Sequence, residues 1–140
     1  MSHLETRTGD GSSQCRLTNR TGAVSVKGTV VETSDAYDLA VKACGADEID
    51  AIGVIMESGV ADGDEVWVAT SGIAQVLLED GTAATRNYWV RTSTTQAGRA
   101  DATTAAPPGA VLTHFGEVGH SLQNVAAGTD QLCWIAMHFL

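Results

Sequence analysis

A serine, a few histidines and a short acidic run are the side chains of this sequence whose types suggest chemistry. Ser71 stands in Thr-Ser-Gly, whereas a nucleophile elbow requires Gly-x-Ser-x-Gly at a strand-to-helix turn, and here strand patterns flank the serine. His114 and His120 are six positions apart, which fits neither the helical pair of a zinc site nor a zinc finger. His138 is interpreted as a polar tip at a strand end or interface. We therefore expect no catalytic residue, no metal ligand and no enzyme.

Carboxylates and tryptophans are the remaining candidates for binding. Residues 62–65, Asp-Gly-Asp-Glu, offer oxygen atoms to a hard cation but lack the spacing of an EF-hand loop, so a turn that bonds its own backbone is the simpler interpretation. Trp67, Trp89 and Trp134 offer rings on which a sugar or a base stacks when a ring face is exposed. Each lies among Val or Ile in a strand pattern, which favours burial or a subunit interface. The sequence contains no glycine-rich phosphate cradle, and no cofactor is expected.

The elements that position these residues are predicted to be short strands. Residues 51–81 alternate apolar runs with Gly and Asp turns, at the period of two that is typical of a strand. Gly72 allows a bend before a second apolar run at residues 73–78. Since no segment keeps helical spacing, we predict an all-β fold, a compact β-barrel or β-sandwich with short helical turns at most. The residues that share strand faces are Ile52, Val54 and Met56, followed by Val66, Val68 and Thr70.

Composition and apolar patterning also predict the elements in the rest of the chain. Residues 1–13 are polar and rich in Gly, Ser and Thr, which predicts a flexible N-terminal arm that orders against a partner, before a single β domain at residues 14–140. Residues 82–86 form at most one helical turn, and residues 100–110, with both prolines, form a surface loop. Residues 117–125 and 131–140 form a closing hairpin whose last strand, apolar on both faces, is central in a sheet or covered by another subunit. Further strands are predicted at residues 24–30, 37–42 and 87–92.

The composition predicts one domain with a thin core. A chain of 140 residues is long enough to bury a self-sufficient core. Its hydrophobic share of 44% is carried by Ala and Val, with only three Trp, two Tyr and two Phe as large anchors. Such a core favours oligomerisation or docking on a larger body.

The net charge of −9 bears on the choice of partner. With two lysines in the chain, no basic tract can neutralise several phosphates, so we expect no nucleic-acid partner. Residues 32–80 hold twelve acids and one lysine, while residues 11–31 and 81–100 each hold three basic residues and no acid. These blocks either steer docking to a complementary surface or form solvated faces.

Cysteine usage and the chain start indicate the compartment. Cys15, Cys44 and Cys133 are odd in number and lack CxxC spacing, so they are interpreted as reduced core residues. The N-terminal stretch lacks the apolar segment of a signal peptide, and no window reaches the roughly 20 apolar residues of a membrane span. We expect synthesis in a cytoplasm and no membrane partner.

Four stretches and a closing apolar strand follow one another from about Leu17 onward: LTNRTGAVSVKGTVVE, AIGVIMESGVADGDEVWVATSGIAQVLLEDGTAAT, NYWVRTSTTQAGRADATTAAPP and HFGEVGHSL. In this order the chain resembles the head decoration, or cement, proteins of tailed bacteriophages, whose β-barrel or β-tulip-like domain sits on the outer capsid. The second stretch is the most specific part of the resemblance.

The resemblance implies a structural virion protein on the outer capsid surface that stabilises the shell by bridging neighbouring major capsid subunits. It also implies a homotrimer, so the expected partners are the major capsid protein and further copies of this chain. An N-terminal arm lying on the shell would place Arg7, Arg16 and Arg20 against the capsid.

Other interpretations remain open at this stage. We expect Trp89, Arg91 and Trp134 at the subunit interface. A tail or baseplate domain, or a carbohydrate-binding appendage of the virion, is the alternative, and the appendage would use Trp67 or Trp89 as a stacking platform. An enzyme would require Ser71, a histidine or an aspartate to converge.

Overall fold

The computed structural model describes residues 5–9, 11–103 and 116–139, and the regular structure of these residues is all β. The prediction of an all-β fold is confirmed. This part of the chain contains no helix long and apolar enough to cross a membrane. The strands, in chain order, are β1 (Thr6–Gly9), β2 (Ser12–Asn19), β3 (Val30–Thr33), β4 (Ala40–Ala43), β5 (Gly53–Ile55), β6 (Glu65–Leu77), β7 (Trp89–Thr92), β8 (Ala100–Ala102), β9 (Glu117–Ser121) and β10 (Leu132–Met137).

The first half of the fold is a ring of strands in the order β2, β4, β3, β5 and β6. The ring closes because β2 pairs with β4 on one side and with β6 on the other. The β2–β4 pair is parallel and the other pairs of the ring are antiparallel. Alternate side chains of these strands point inward and form a fully buried apolar core. Its members are Val31, Val41, Ile55, Val66 and Val68.

The second half is an antiparallel sheet in the order β6, β10, β9, β7 and β8. Val30 and Val54 alternate with residues that face the ring interior, so they point out of the ring toward this sheet. Together the two layers enclose a second core. β10 lies between β6 and β9 inside the sheet, which is the first of the two alternatives that the sequence left open. The buried members of the second core include Val30, Val54, Val76, Leu78, Val90, Ala100, Val118, Cys133 and Ile135.

β6 belongs to both halves and changes partners at Gly72. Residues 65–72 pair with β2, and residues 72–77 pair with β10. Gly72 has a φ of +93°, and the β2 ladder shifts register nearby, between Ser13 and Gln14. The predicted bend at Gly72 is confirmed, and the apolar run that follows continues the same strand.

The predicted strand at residues 24–30 is wrong in its first part. Val24 and Val26 are 57% and 51% exposed and lie in a loop that leads to β3. Gly22 and Gly28 have positive φ on either side of these valines. Ser25, between the two valines, is buried, and its backbone N–H donates to the Val60 carbonyl and its hydroxyl to the Glu57 carbonyl, so the segment is held as a loop. The alternation of Val with polar residues here therefore carries no sheet face.

The strand predicted at residues 37–42 begins later, with β4. Tyr37 and Leu39 are exposed in the turn between β3 and β4, and Leu39 has a φ of +50°. The Ser34 hydroxyl oxygen accepts hydrogen bonds from the backbone N–H groups of Ala36 and Tyr37, which makes this segment a turn. Local side-chain bonding has thus replaced the expected ladder.

The later segments follow the predictions with two exceptions. Residues 82–86 form no helical turn, because Ala84 makes an isolated bridge with Val125 instead. Ala100, predicted in a surface loop, is fully buried in β8, and residues 104–110 of that loop lie outside the described residues. The strand predicted at residues 87–92 is confirmed as β7, and the closing hairpin is confirmed as β9 and β10.

The segment predicted as an arm contains β1 and the start of β2. β1 pairs antiparallel with β2 from Thr6↔Cys15 to Gly9↔Ser12 and forms one end of the sheet order. Residues 1–4 and 10 lie outside the described residues. Ordering of the arm against a partner stays a prediction.

Candidate docking surface

The outer face of β1, β2 and β6 brings two arginines onto one tryptophan. Arg16 lies opposite Trp67 in the β2–β6 ladder, and Arg7 lies opposite Gln14, two residues along the same face of β2. The guanidinium carbon of Arg7 is 4.1 Å from the centroid of the Trp67 ring, and that of Arg16 is 5.5 Å away. Both distances fit cation–π contacts, so the indole holds the two cations together on one face.

Arg16 and Arg20 are already paired within the chain. Arg16 lies 3.6 Å from a carboxylate oxygen of Glu5 and 3.4 Å from one of Glu65. Arg20 lies 3.5 Å from Asp62, and its guanidinium stacks 4.1 Å from the centroid of the Tyr37 ring. These contacts orient the two side chains and neutralise much of their charge.

Arg7 differs from the other two predicted capsid contacts. Its Nε donates a hydrogen bond to Gln14 Oε1 at 2.8 Å, and it forms no ion pair within the described part of the chain. Gln14 is itself held by bonds from its amide nitrogen to the Gly9 carbonyl and the Ser12 hydroxyl. Arg7 is therefore an exposed cation with a fixed orientation, which suits it to accept a carboxylate from another molecule.

The charged blocks of the sequence do not become separate faces. Basic residues of the flanking blocks pair with acids of the central block, as in Arg16 with Glu65, and Arg99 with Asp80 at 3.1 Å. Arg99 also pairs with Asp130 at 2.5 Å. Because antiparallel strands bring distant segments side by side, a block of one sign along the chain is interleaved with its opposite in the fold.

The acidic run at residues 62–65 forms a turn, closed by the Asp64 backbone N–H and the Ala61 carbonyl at 3.0 Å, but the Asp62 side chain bonds a distant segment, whereas the sequence predicted bonds to the turn's own backbone. Asp62 Oδ1 accepts a hydrogen bond from the Gly22 backbone N–H at 2.9 Å, and the Gly63 N–H donates to the Asn19 carbonyl at 2.7 Å. A shallow depression of about 370 Å³ adjoins this turn and Arg16. It is lined by Arg16, Gly63, Asp64 and Glu65.

A second cluster of rings lies on β7, β9 and β10. The Trp89 ring centroid is 4.2 Å from that of His120, and the His120 and His138 rings stack at 5.1 Å. His138 Nε2 is 3.3 Å from a carboxylate oxygen of Glu117, whose side chain is fully buried. The sequence did not lead us to predict the contact between His138 and Glu117. The predicted hairpin of β9 and β10 was a signal that could have found it, because it places these two strands side by side.

The residues predicted at a subunit interface occupy different environments. Trp89 and Trp134 are half-buried, and the Trp134 backbone N–H donates to Gln123 Oε1 at 2.8 Å. Arg91 pairs with Asp101 at 3.8 Å. Burial raises the pKa of Asp101, the nearby charge of Glu79 raises it further, and Arg91 opposes both effects.

Catalytic convergence is not found among the described residues. Ser71 lies on β6 opposite Ser13 and has no side-chain hydrogen bond to a histidine or an acid in the described ranges. His120 contacts Trp89 and His138 instead, and His114 lies outside the described residues.

One acidic group not singled out in the sequence lies beside a cysteine. Carboxylate oxygens of Glu32, Glu48 and Asp50 lie within 4.8 Å of one another, and Glu32 also pairs with Lys42 at 3.4 Å. Burial raises the pKa of the neighbouring Cys44 thiol to about 12, and the charge of Glu32 adds to this effect. Two of the three carboxylates are exposed, and such groups are common without an ion.

The cysteines agree with the sequence interpretation. Cys44 and Cys133 are buried, Cys15 is half-buried, and all three thiols are free. Burial raises the pKa of Cys15 and of Cys133 as well.

No protein-family model matches the chain, and no curated protein matches it. Among solved structures, the chain is similar to the head fiber gp8.5 N base of bacteriophage phi29, with a TM-score of 0.60 and 16% sequence identity. The similarity covers 89% of this chain and 92% of that chain. At this identity the similarity shows a shared fold, which extends over nearly the whole of both chains.

Proposed function

We propose that this chain is a non-enzymatic structural protein of a bacteriophage virion that decorates the outer surface of the capsid. The observation that carries the proposal is the fold shared with a phage head fiber base over 89% of the chain. That neighbour is a part of a phage head, and a fold of this kind on a phage particle supports the same setting for this chain. The order of elements from Leu17 onward supports it independently.

The face of β1, β2 and β6 is the proposed contact with the major capsid protein. Arg7 projects from it with an orientation that is fixed by Gln14 and by the Trp67 ring, over which its guanidinium lies. A carboxylate on the shell would pair with Arg7, while Arg16 and Arg20 would act mainly by holding the surrounding acids and rings in place. Arg7 is thus the residue of the three predicted contacts on which recognition depends most.

Many equivalent sites on a shell make modest contacts sufficient. The protein bridges neighbouring capsid subunits as a homotrimer. Once one subunit of the trimer has bound the shell, binding of the next subunit is intramolecular, so the effective affinity of the trimer for the shell rises by avidity. Each bound copy then stabilises the assembled shell by mass action.

The alternative of a carbohydrate-binding appendage is less consistent with the ring environments. Trp67 is engaged by the guanidinium groups of Arg7 and Arg16, and Trp89 is in contact with His120 and His138. A sugar that stacks on either ring would have to displace these neighbours. A tail or baseplate position would be recognised by labelling at the tail instead of the head in particle imaging.

The test is binding to purified phage shells that lack this protein, measured by co-sedimentation. We expect Arg7→Glu to weaken binding by about tenfold or more, equivalent to roughly 1.4 kcal/mol per site. Arg86→Glu makes the same charge change at an exposed arginine outside the proposed face and should bind as the unmodified protein does. Equal binding by the two variants would exclude the proposed face, and no binding by the unmodified protein would exclude capsid decoration.

A further inference from the structure

The outer face of the β6–β10–β9–β7 sheet carries two rows of side chains without a carboxylate, lysine or arginine. The strand registers place Ile73 beside Ala136, Ala136 beside His120, and His120 beside Trp89. In the next row Trp134 is opposite Gln75. The Trp134 carbonyl accepts a hydrogen bond from the backbone N–H of Leu122, which places Leu122 beside Trp134. We call these two rows the neutral sheet face.

The neutral sheet face is mostly apolar, with His120 and Gln75 as its polar members, although it points away from the core. Ile73 and Leu122 are 41% and 45% exposed, whereas Ala74 and Ile135 on the opposite side are fully buried. An antiparallel sheet with one solvated face normally alternates apolar and polar residues. Here the core side is apolar and most residues of these two outer rows are apolar as well, which is typical of a sheet that is covered on both sides.

Each charged group described at the border of this face lies within 4 Å of a group that can carry the opposite charge, with separations of 3.8 Å for Arg91 and Asp101 and 3.3 Å for Glu117 and His138. A partner chosen by opposite charge would therefore find little to bind at this face. The chain as a whole carries a net charge of −9, so two copies repel each other wherever acids meet.

We propose that a second copy of this chain covers the neutral sheet face. Two acidic copies approach most favourably through a surface free of acids, and among the described residues these two rows form such a surface, with exposed Ile73 and Leu122 beside two tryptophans. The proposal names the contact for the self-association in the proposed function, and it does not require the capsid. It retains Trp89 and Trp134 as interface residues, adds Ile73 and Leu122, and places Arg91 at the border.

The test is sedimentation velocity of the isolated full chain in a concentration series up to about 1 mM. The unmodified protein should sediment above the monomer mass, and Leu122→Asp and Ile73→Asp should raise the dissociation constant at least tenfold. Val24→Asp is the matched control, because Val24 is 57% exposed in a loop outside this face, and it should assemble normally. Thermal melts check that all three variants remain folded.

A second readout is the tryptophan emission. Assembly should shift the emission of the unmodified protein to shorter wavelength as Trp89 and Trp134 lose water, and Leu122→Asp should abolish the shift. A monomeric unmodified protein throughout the series, or full assembly by both Asp variants, would overturn the inference. If the monomeric protein still bound shells and Arg7→Glu did not, the inference and the homotrimer would fail, while capsid decoration through the face of β1, β2 and β6 would stand.

Discussion

Replacement of Gly72 by alanine tests how the two halves of the fold are joined. The substitution has two separate costs. At a φ of +93° an L-residue is strained by about 1–2 kcal/mol. A Cβ atom at Gly72 would also overlap the Gly11 carbonyl oxygen and lie 3.0 Å from the Ser12 Cα. These are backbone atoms, so β2 has to move, which costs about a further 1–3 kcal/mol.

Gly59→Ala separates the two costs. Gly59 has a φ of +91°, almost the same as Gly72, but a Cβ atom there meets no other atom within 4 Å. We therefore expect Gly59→Ala to cost only the backbone strain, about 1–2 kcal/mol, and Gly72→Ala to cost about 2–5 kcal/mol. The difference between the variants measures the packing of β6 against the β1–β2 hairpin.

Urea denaturation followed by tryptophan fluorescence gives both free energies of unfolding. Hydrogen exchange should in addition show faster exchange of the β2 amides near Ser13 in Gly72→Ala and unchanged exchange there in Gly59→Ala. If the two variants lose the same free energy within about 0.5 kcal/mol, the close approach of β6 and β2 is not what requires glycine at position 72.

Two further predictions concern titrating groups. Because burial raises the pKa of Cys44 to about 12 and also raises that of Cys133, neither thiol should react with iodoacetamide in the native protein at pH 8, whereas all three cysteines should react in urea, as mass spectrometry would show; rapid native labelling of Cys44 would contradict its burial. The Asp130 backbone N–H, the Gln96 amide and Arg99 hold the pKa of Asp80 below its ordinary value, so its contribution to stability is present above the unfolded pKa of about 3.9 and is lost as pH falls through the folded pKa. The difference in Tm between the unmodified protein and Asp80→Asn should therefore shrink below about pH 4, and a constant difference down to pH 2 would refute the assignment.

The strands that sequence reasoning found are those with buried alternate residues. β6 was identified because Val66 and Val68 repeat at a period of two, and β10 because its residues are apolar on both faces. The loop around Val24 imitates the same pattern, but there the valines are exposed and Ser25 is buried, and the segment lies between Gly22 and Gly28, which both have a positive φ. A glycine permits that conformation but does not require it, so the sequence alone does not exclude a strand there.

β1 and most of β2 were missed for a different reason. Their sequences, TRTG and SSQCRLTN, contain few apolar residues, since β1 is exposed and β2 buries polar side chains such as Ser12 and Gln14. Backbone pairing with β6 and internal hydrogen bonds of Gln14 hold this hairpin in place of an apolar face. Such pairing depends on the arrangement of the whole sheet, so no local sequence pattern predicts it.

The candidate sites follow the same division. Arg7 was selected by its position in the predicted arm, but its contact with Trp67 depends on the register of β1, β2 and β6. The neutral sheet face likewise depends on the order of β6, β10, β9 and β7, which a list of separate strands does not contain. The residues of the candidate sites could be selected from the sequence, whereas the contacts among them depend on the sheet topology.

The two proposed surfaces share one strand, and this constrains how copies would be arranged. Trp67 lies on β6 before Gly72 and belongs to the proposed capsid contact, while Ile73 lies directly after it and belongs to the neutral sheet face. The bend at Gly72 would therefore set the angle between the proposed contact with the shell and the proposed contact with the next copy. A folded variant with an altered bend would keep every side chain of both surfaces. It should nevertheless bind shells more weakly than the unmodified protein, because avidity requires the contact with the shell and the contact with the next copy to be made together.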